Sequence, residues 1–325
     1  EISPEQLGAI NHMEGCDYNK YYHNFFASAE EVAAYAIDNR GAALNGIHEW
    51  QQPILNGSMP DWLKFKLINS GYTLYSNSVL NKRGNYSSLE GEMGGYGGTM
   101  DQKMSSHPFY EKMYPELNMN ENRQFANVRG KNGEIQHFDL HYYHGISDFN
   151  ENNKVNPTPA GSMIDNAGAW MIQMWNYYRQ TGDAQYIQSY YDIMTTSMAF
   201  IDSKCTNGTS IPNYNTTYDD YSHPQILIYS GTIYLVMLDI AAQWSNFMGD
   251  GEKYERYRQK YALTYEDVEK LYGNHFDDLD IGSYYAFGSD YEYISSNKKS
   301  GKILSEVMFA GAMAGEFMSR YSGLG

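Results

Sequence analysis

Helical periodicity dominates the chain. Ser28 followed three residues later by Glu31 predicts a capped helix start, and Val32, Ala33, Tyr35 and Ala36 supply an apolar stripe behind it. Pro60 and Asp61 predict a second helix, in which Trp62, Phe65, Leu67 and Ile68 recur at helical spacing. A short helix is expected over 107–117 and two long ones over 162–180 and 184–202, separated by Thr181-Gly182-Asp183. An apolar helix starting near Gln225, a charged amphipathic helix over 252–272 and a last helix over 303–321 complete the series. Strand signals are few. Alternation across 124–143 flanks Lys131-Asn132-Gly133, a turn sequence because Asn and Gly tolerate positive φ, and predicts a hairpin. Residues 284–294 predict a second, smaller one. A Gly-rich stretch over 91–98 and a long loop over 203–224 interrupt the helices.

This order predicts an all-α fold. Long helices joined by elaborated loops, without βαβ alternation or a repeat of 30 to 40 residues, point to a helical toroid or barrel with small β-hairpin insertions. A simple bundle fits less well, because bundle connections are usually short. The loops at one end would carry the chemistry. Residues 226–242 approach membrane-spanning length but include Ser230, Gly231 and Asp239, which suits a buried helix better than a bilayer, so no transmembrane segment is expected. Residues 1–24 are weakly patterned and read as a linker or the tail of a preceding domain.

Composition narrows the function classes. The 325 residues hold 39 Asp and Glu against 23 Lys and Arg, a formal net charge of -16 that argues against a general nucleic-acid partner and against docking on anionic lipid. Tyrosine is abundant at 32 residues, and a ring that keeps a hydroxyl suits wet, semi-apolar clefts such as sugar sites, although a compositional bias of the source gives the same count. Cys16 and Cys205 form no CxxC pair, and spacing alone does not bond them to each other. Four Asn-x-Ser/Thr sequons, at Asn56, Asn85, Asn207 and Asn215, lean towards a secreted or cell-surface glycoprotein.

Three constellations could carry chemistry. Leu89-Glu90-Gly91-Glu92 leads through glycines to Thr99-Met100-Asp101, and a carboxylate among glycines can be approached closely by a ligand. Thr216-Thr217-Tyr218-Asp219-Asp220-Tyr221 gathers carboxyls and hydroxyls that could hold a proton and sugar hydroxyls. In the segment 137–144, read as a strand, His137, Asp139 and His141 share one face. Taken singly, each also fits an ordinary solvated loop, a capped turn or histidines with internal partners. No metal site and no cofactor are expected.

From about residue 25 onwards the chain resembles the catalytic domain of glycoside hydrolase family 116, which includes non-lysosomal glucosylceramidases and archaeal β-glucosidases and β-xylosidases. The resemblance rests on Pro60-Asp61-Trp62-Leu63 with Leu67-Ile68-Asn69-Ser70-Gly71-Tyr72, on Leu89-Glu90-Gly91 with Asp101 downstream, and on Thr217-Tyr218-Asp219. Between these lie Asp165 and the ending Tyr178-Arg179-Gln180-Thr181-Gly182-Asp183. The resemblance implies an (α/α)6 barrel that hydrolyses β-glucosides with retention, through a covalent glycosyl-enzyme intermediate. It implies Glu90 as nucleophile, Asp219 as general acid/base, and Asp101, Thr217, His137 and Asp139 as residues that meet the sugar. Phe138 separates His137 from Asp139, where the family has an adjacent pair; Met93-Gly94 replaces the family's Glu-Tyr, and Tyr221 stands for a Trp. An N-terminal β-sandwich and the last barrel helices of the family have no counterpart here, so residues 25–325 are expected to be an incomplete barrel that continues in further segments of the same polypeptide. Other readings on this fold are a β-xylosidase, an inverting α-glycosidase, or an inactive carbohydrate-binding envelope protein.

Overall fold

The computed structural model describes residues 20–72, 77–80, 82, 84, 86–88, 96–137, 140–141, 163–205, 208–217, 226–272, 285, 288–289 and 310–324. They are mostly helical. In chain order the helices are α1 (Ala29–Asp38), α2 (Arg40–Leu55), α3 (Asp61–Asn69), α4 (Lys103–Ser106), α5 (Pro108–Met113), α6 (Pro115–Val128), α7 (Ile164–Thr181), α8 (Ala184–Ser189), α9 (Tyr191–Asp202), α10 (Ile228–Phe247), α11 (Gly251–Tyr272) and α12 (Ala314–Tyr321). Six short strands form three antiparallel pairs: Ser78–Leu80 with Tyr86–Ser88, Tyr96–Gly97 with Leu140–His141, and Ile226–Leu227 with Gly288–Ser289.

The core sits around α7 and α10. Every residue of α7 from Ile164 to Tyr177 is buried, and α10 buries Trp244, Met237, Ile233 and Tyr234 along its length. A helix apolar nearly all round has to be enclosed by other elements, and α7, α11 and α12 all pack against α10. Small residues let them come close. A Cβ at Gly168 would stand 2.7 Å from Ile233 Cγ2, and one at Gly315 would stand 2.5 Å from the Thr232 backbone. Trp170 and Trp244 stack with ring centroids 6.2 Å apart, and each indole N–H finds a backbone carbonyl, of Asn122 and Ile187 respectively. The Gly182 carries α7 out through a left-handed turn with φ 74°, the usual glycine ending of a helix.

Several sequence expectations change. Residues 124–128 are not a strand: they finish α6, whose Met119, Glu121, Asn122, Phe125 and Ala126 form one buried face. Pro108 and Pro115 each open a helix, so the region expected as one helix over 107–117 is divided into α5 and the start of α6. The turn at 130–133 is present, with Gly133 N–H donating to the Gly130 carbonyl, Gly130 N–H donating to the Glu134 carbonyl at 2.8 Å and Gly133 at φ 94°, but among the described residues no strand pair joins its two flanks. Leu140–His141 pairs instead with Tyr96–Gly97. Gly288–Ser289 pairs with Ile226–Leu227, and the rest of the hairpin expected over 284–294, apart from 285, lies outside the described residues. Tyr190 divides the expected 184–202 helix in two. The capping box is as expected: Glu31 N–H donates to Ser28 Oγ at 3.3 Å, and Ala27 N–H donates to Glu31 Oε2 at 2.8 Å.

The stripe behind that cap has a different fate from the one its pattern predicts. No residue from 20 to 70 is buried, and Tyr35, Trp62 and Phe65 are all more than half exposed.

Candidate functional site

The first turn of α7 and the loop before α10 meet around Thr217. The Ile164 N–H donates to the Asn215 carbonyl at 2.9 Å, which ties the loop to the start of the helix. One residue further on, the fully buried Asp165 accepts two bonds on the same oxygen, Oδ2: from Thr217 N–H at 2.9 Å and from the Tyr229 hydroxyl at 2.9 Å. The Thr217 side chain turns to a second carboxylate, its Oγ1 donating to Asp101 Oδ2. Asp101 reaches this point because Met100 N–H donates to the His137 carbonyl at 2.8 Å, while the Met100 side chain is wholly enclosed in the core. His137 Nε2 lies 2.8 Å from Asp101 Oδ1. One cluster therefore joins Asp101, His137, Asp165, Thr217 and Tyr229 from five separate places in the sequence.

The two aspartates are driven apart electrostatically. Burial pushes Asp165 up to about 7, and the nearby Asp101 charge pushes the same way, while the bonds from Thr217 and Tyr229 oppose it without winning. Burial acts on Asp101 too. There the hydrogen bond and charge of His137, with the Thr217 hydroxyl, outweigh it and hold the carboxyl below the usual aspartate range. Neighbouring carboxyls with separated affinities for a proton are the raw material of acid/base chemistry.

A second buried network stands beside this one. Lys103 Nζ lies 2.5 Å from Glu121 Oε2, with both side chains almost entirely out of solvent. Glu121 Oε1 accepts from Ser88 N–H at 2.7 Å and from Ser88 Oγ at 2.9 Å. His107 is depressed to about 4, first by burial and then by the Lys103 charge, so at neutral pH it is an uncharged ring. Its Nδ1–H then donates to Asn118 Oδ1 at 2.7 Å, which leaves Nε2 facing Ser88 Oγ at 3.4 Å. Gly98 N–H donates to the Ser88 carbonyl at 2.5 Å. Ser88 is thus fixed by its main chain on both sides, two positions before Glu90 in the sequence.

Of the residues singled out from the sequence, Asp101, His137 and Thr217 come together. Glu90, Asp219 and Asp139 lie outside the described residues, as do Asn85, Asn207 and Cys16. Asp101 is a buried organiser whose two oxygens face Thr217 and His137, while His137 and Thr217 are the partly exposed members. The sequons at Asn56 and Asn215 are exposed, and Thr217 is at once the hydroxyl residue of the Asn215 sequon and a member of the cluster. Cys205 keeps a thiol, mostly buried, that donates to the Ser210 carbonyl at 3.1 Å.

Sequence reading passed over Tyr229, Lys103, His107 and Glu121, and gave Asp165 no role. The readable signal was the spacing of Asn118, Glu121, Asn122 and Phe125, which puts polar groups on the same helix face as buried apolar ones. Buried polar groups need partners, so such a face announces a network.

A cavity of about 340 Å³ opens elsewhere, between α10, α11 and α12, lined by Thr232, Tyr261, Tyr265, Glu269 and Glu316 among others, and includes none of the clustered residues. Among the described residues no group of three or more His, Cys, Asp or Glu side chains is placed to hold a metal ion, and no helix is long and apolar enough to cross a membrane. No protein-family model matches the chain, and no curated protein matches it.

Proposed function

We propose that this chain is the catalytic domain of a retaining β-glycosidase of the glucosidase type, built on an (α/α)6 toroid. The observation that carries the reading is the meeting of Asp101, His137 and Thr217. Thirty-six positions separate the first two and eighty separate the last two, yet they share one hydrogen-bonded cluster. Residues chosen for a common role in binding one sugar have to converge in this way. The mostly helical architecture is compatible with the same reading.

The chemistry follows from two carboxyl groups flanking a glycosidic bond. Glu90, ionised, attacks the anomeric carbon as the protonated Asp219 gives its proton to the departing oxygen, so the aglycone leaves as a neutral alcohol. Asp219, now a carboxylate, takes a proton from water, and the resulting oxygen nucleophile displaces Glu90 to release the sugar with its original configuration. His137, oriented by Asp101, is the group suited to a sugar hydroxyl. No cofactor enters either step.

The test is turnover of aryl β-glucosides by the full-length protein beside Glu90→Gln and Asp219→Asn. The expected result is that each substitution lowers kcat by at least about a hundredfold, in keeping with the loss of an essential acid, base or nucleophile. Wild-type rates in both variants would overturn the assignment. Product stereochemistry followed by NMR separates retention from inversion. Binding of sugar without any turnover would favour the carbohydrate-binding alternative.

A further inference from the structure

Asp165 is built unlike an ordinary buried carboxylate. It accepts two bonds on Oδ2, both from neutral donors, the Thr217 N–H and the Tyr229 hydroxyl. Its other oxygen, Oδ1, is enclosed and has no hydrogen-bond partner among the described residues. Among the described residues no Lys, Arg or His forms an ion pair with it; the charged and titratable groups facing the cluster are Asp101, from the turn at 99–101, His137 behind Asp101, and Tyr229 from α10. An ionised carboxylate with one bare buried oxygen and another carboxylate for a neighbour is costly, and a neutral carboxylic acid in the same place costs less.

The consequence lies in what Asp165 holds. Thr217 is gripped twice, by its main chain at Asp165 and by its side chain at Asp101. In sequence it stands two positions before Asp219, and two residues of chain reach no further than about 7 Å. Whatever fixes Thr217 limits where the acid/base group can be.

We propose that Asp165 is a positioning residue for Asp219, acting as a neutral carboxylic acid that clamps the main chain of the turn at Thr217. This rests on the glycosidase reading above, which assigns Asp219 its role. It goes beyond that reading by giving a task, and a protonation state, to a residue that touches no substrate. The raised proton affinity of Asp165 supports it: the clamp is neutral on the acid side of about pH 7 and acquires a charge, beside Asp101, as pH rises through that value.

Asparagine is the discriminating substitution. Its amide oxygen can accept both bonds that Oδ2 accepts, and its NH2 group replaces the acid's OH without ever ionising. Asp165→Asn is therefore expected to keep kcat within about threefold of wild type below pH 6 and to flatten the fall in kcat/KM between about pH 6 and 8 that the charging of Asp165 imposes. Asp165→Ala removes the acceptor and frees the turn; it is expected to lower kcat by about 10- to 100-fold with little change in KM, the cost of misplacing a reacting group by about an ångström. Circular dichroism checks that both variants fold. If Asp165→Asn is as impaired as Asp165→Ala, or if Asp165→Ala keeps the wild-type rate and pH profile, the proposal is overturned.

Two readouts do not depend on turnover. Carbon-13 NMR of labelled aspartate should show a carboxyl titrating near neutrality that disappears in Asp165→Asn. Hydrogen exchange at the Thr217 amide should be protected in wild type and in Asp165→Asn and lost in Asp165→Ala. A Thr217 amide equally protected in Asp165→Ala, or an Asp165 titrating at the ordinary value near ~4, would sink the clamp itself. An inactive wild-type protein with both clamp readouts as expected would instead locate the failure in the glycosidase assignment, and end the catalytic role given to Asp165.

Discussion

At the scale of single residues, buried ionisable groups set the terms of stability. Lys103 and Glu121 are a buried pair with hydrogen bonds to Ser88, and losing one partner leaves the other charged and alone. Lys103→Met is expected to cost about 3–5 kcal/mol in urea unfolding, whereas the double replacement Lys103→Met with Glu121→Leu should cost less than the sum of the two single changes. Glu111 behaves in another way. Burial pushes it up to about 7 against a hydrogen bond from Asn176, so the folded protein binds its proton more tightly than the unfolded chain does. For an acid shifted upward the contribution to stability is complete below the unfolded value near ~4 and is lost as pH rises through about 7. Glu111→Gln should therefore weaken the decline of Tm between pH 5 and pH 8. His107 works in the opposite sense, because its lowered affinity makes the fold resist protonation as pH falls below ~6.5. Asp165, also raised to about 7, adds to the Glu111 effect, so a wild-type Tm that still falls between pH 5 and pH 8, with His107 offsetting only part of the decline, is the expected result.

At the scale of elements, close helix contacts depend on particular glycines. Gly315 of α12 faces the Thr232 backbone at a separation no Cβ can accept, so Gly315→Ala must move one helix against the other and should cost about 1–3 kcal/mol. Gly182 has open space around it but a left-handed backbone; there alanine should cost about 1–2 kcal/mol, through strain alone. Thermal unfolding of the two variants, with a crystal or NMR check for helix displacement only in the first, separates the mechanisms. The elements that sequence made legible are those whose signals are local. Ser28 with Glu31, Pro60, Gly182 and the spacing along α7, α10 and α11 state where helices start, stop and face. The strands escaped, because pairs as short as Ile226–Leu227 with Gly288–Ser289 are decided by partners 60 or so residues away and leave no period to read. Residues 124–128 were misread for the converse reason: a neighbouring turn sequence suggested strands, while burial of Phe125 and Ala126 against the core decided for helix. The site divides along the same line. The grouping of Asp101, His137 and Thr217 was foreseeable from motif order, but Tyr229 was not, since it joins only once α10 packs on α7.

At the scale of the whole molecule, burial is unevenly shared. The main core is drawn from residues between Met100 and Leu324, whereas no residue from 20 to 70 is buried. Amides in 164–177 and 233–244 should accordingly exchange with solvent far more slowly than those in 29–69, in a hydrogen-exchange experiment resolved by peptide. Equal protection of the two regions would show that the first three helices draw on the common core after all. Cooperativity is where this unevenness leads. Melting is all-or-none only when every part of a chain gains its stability from the same contacts, so that losing some means losing all. Helices α1 to α3, with Tyr35, Trp62 and Phe65 turned to solvent, are insured by few of those contacts. Calorimetry should then find a total heat larger than the van 't Hoff enthalpy, with far-UV signal fading before the tryptophans buried in α7 and α10 respond. The midpoint read by one probe would belong to one part of the molecule, and a mutation ranked by that probe would be ranked for that part alone.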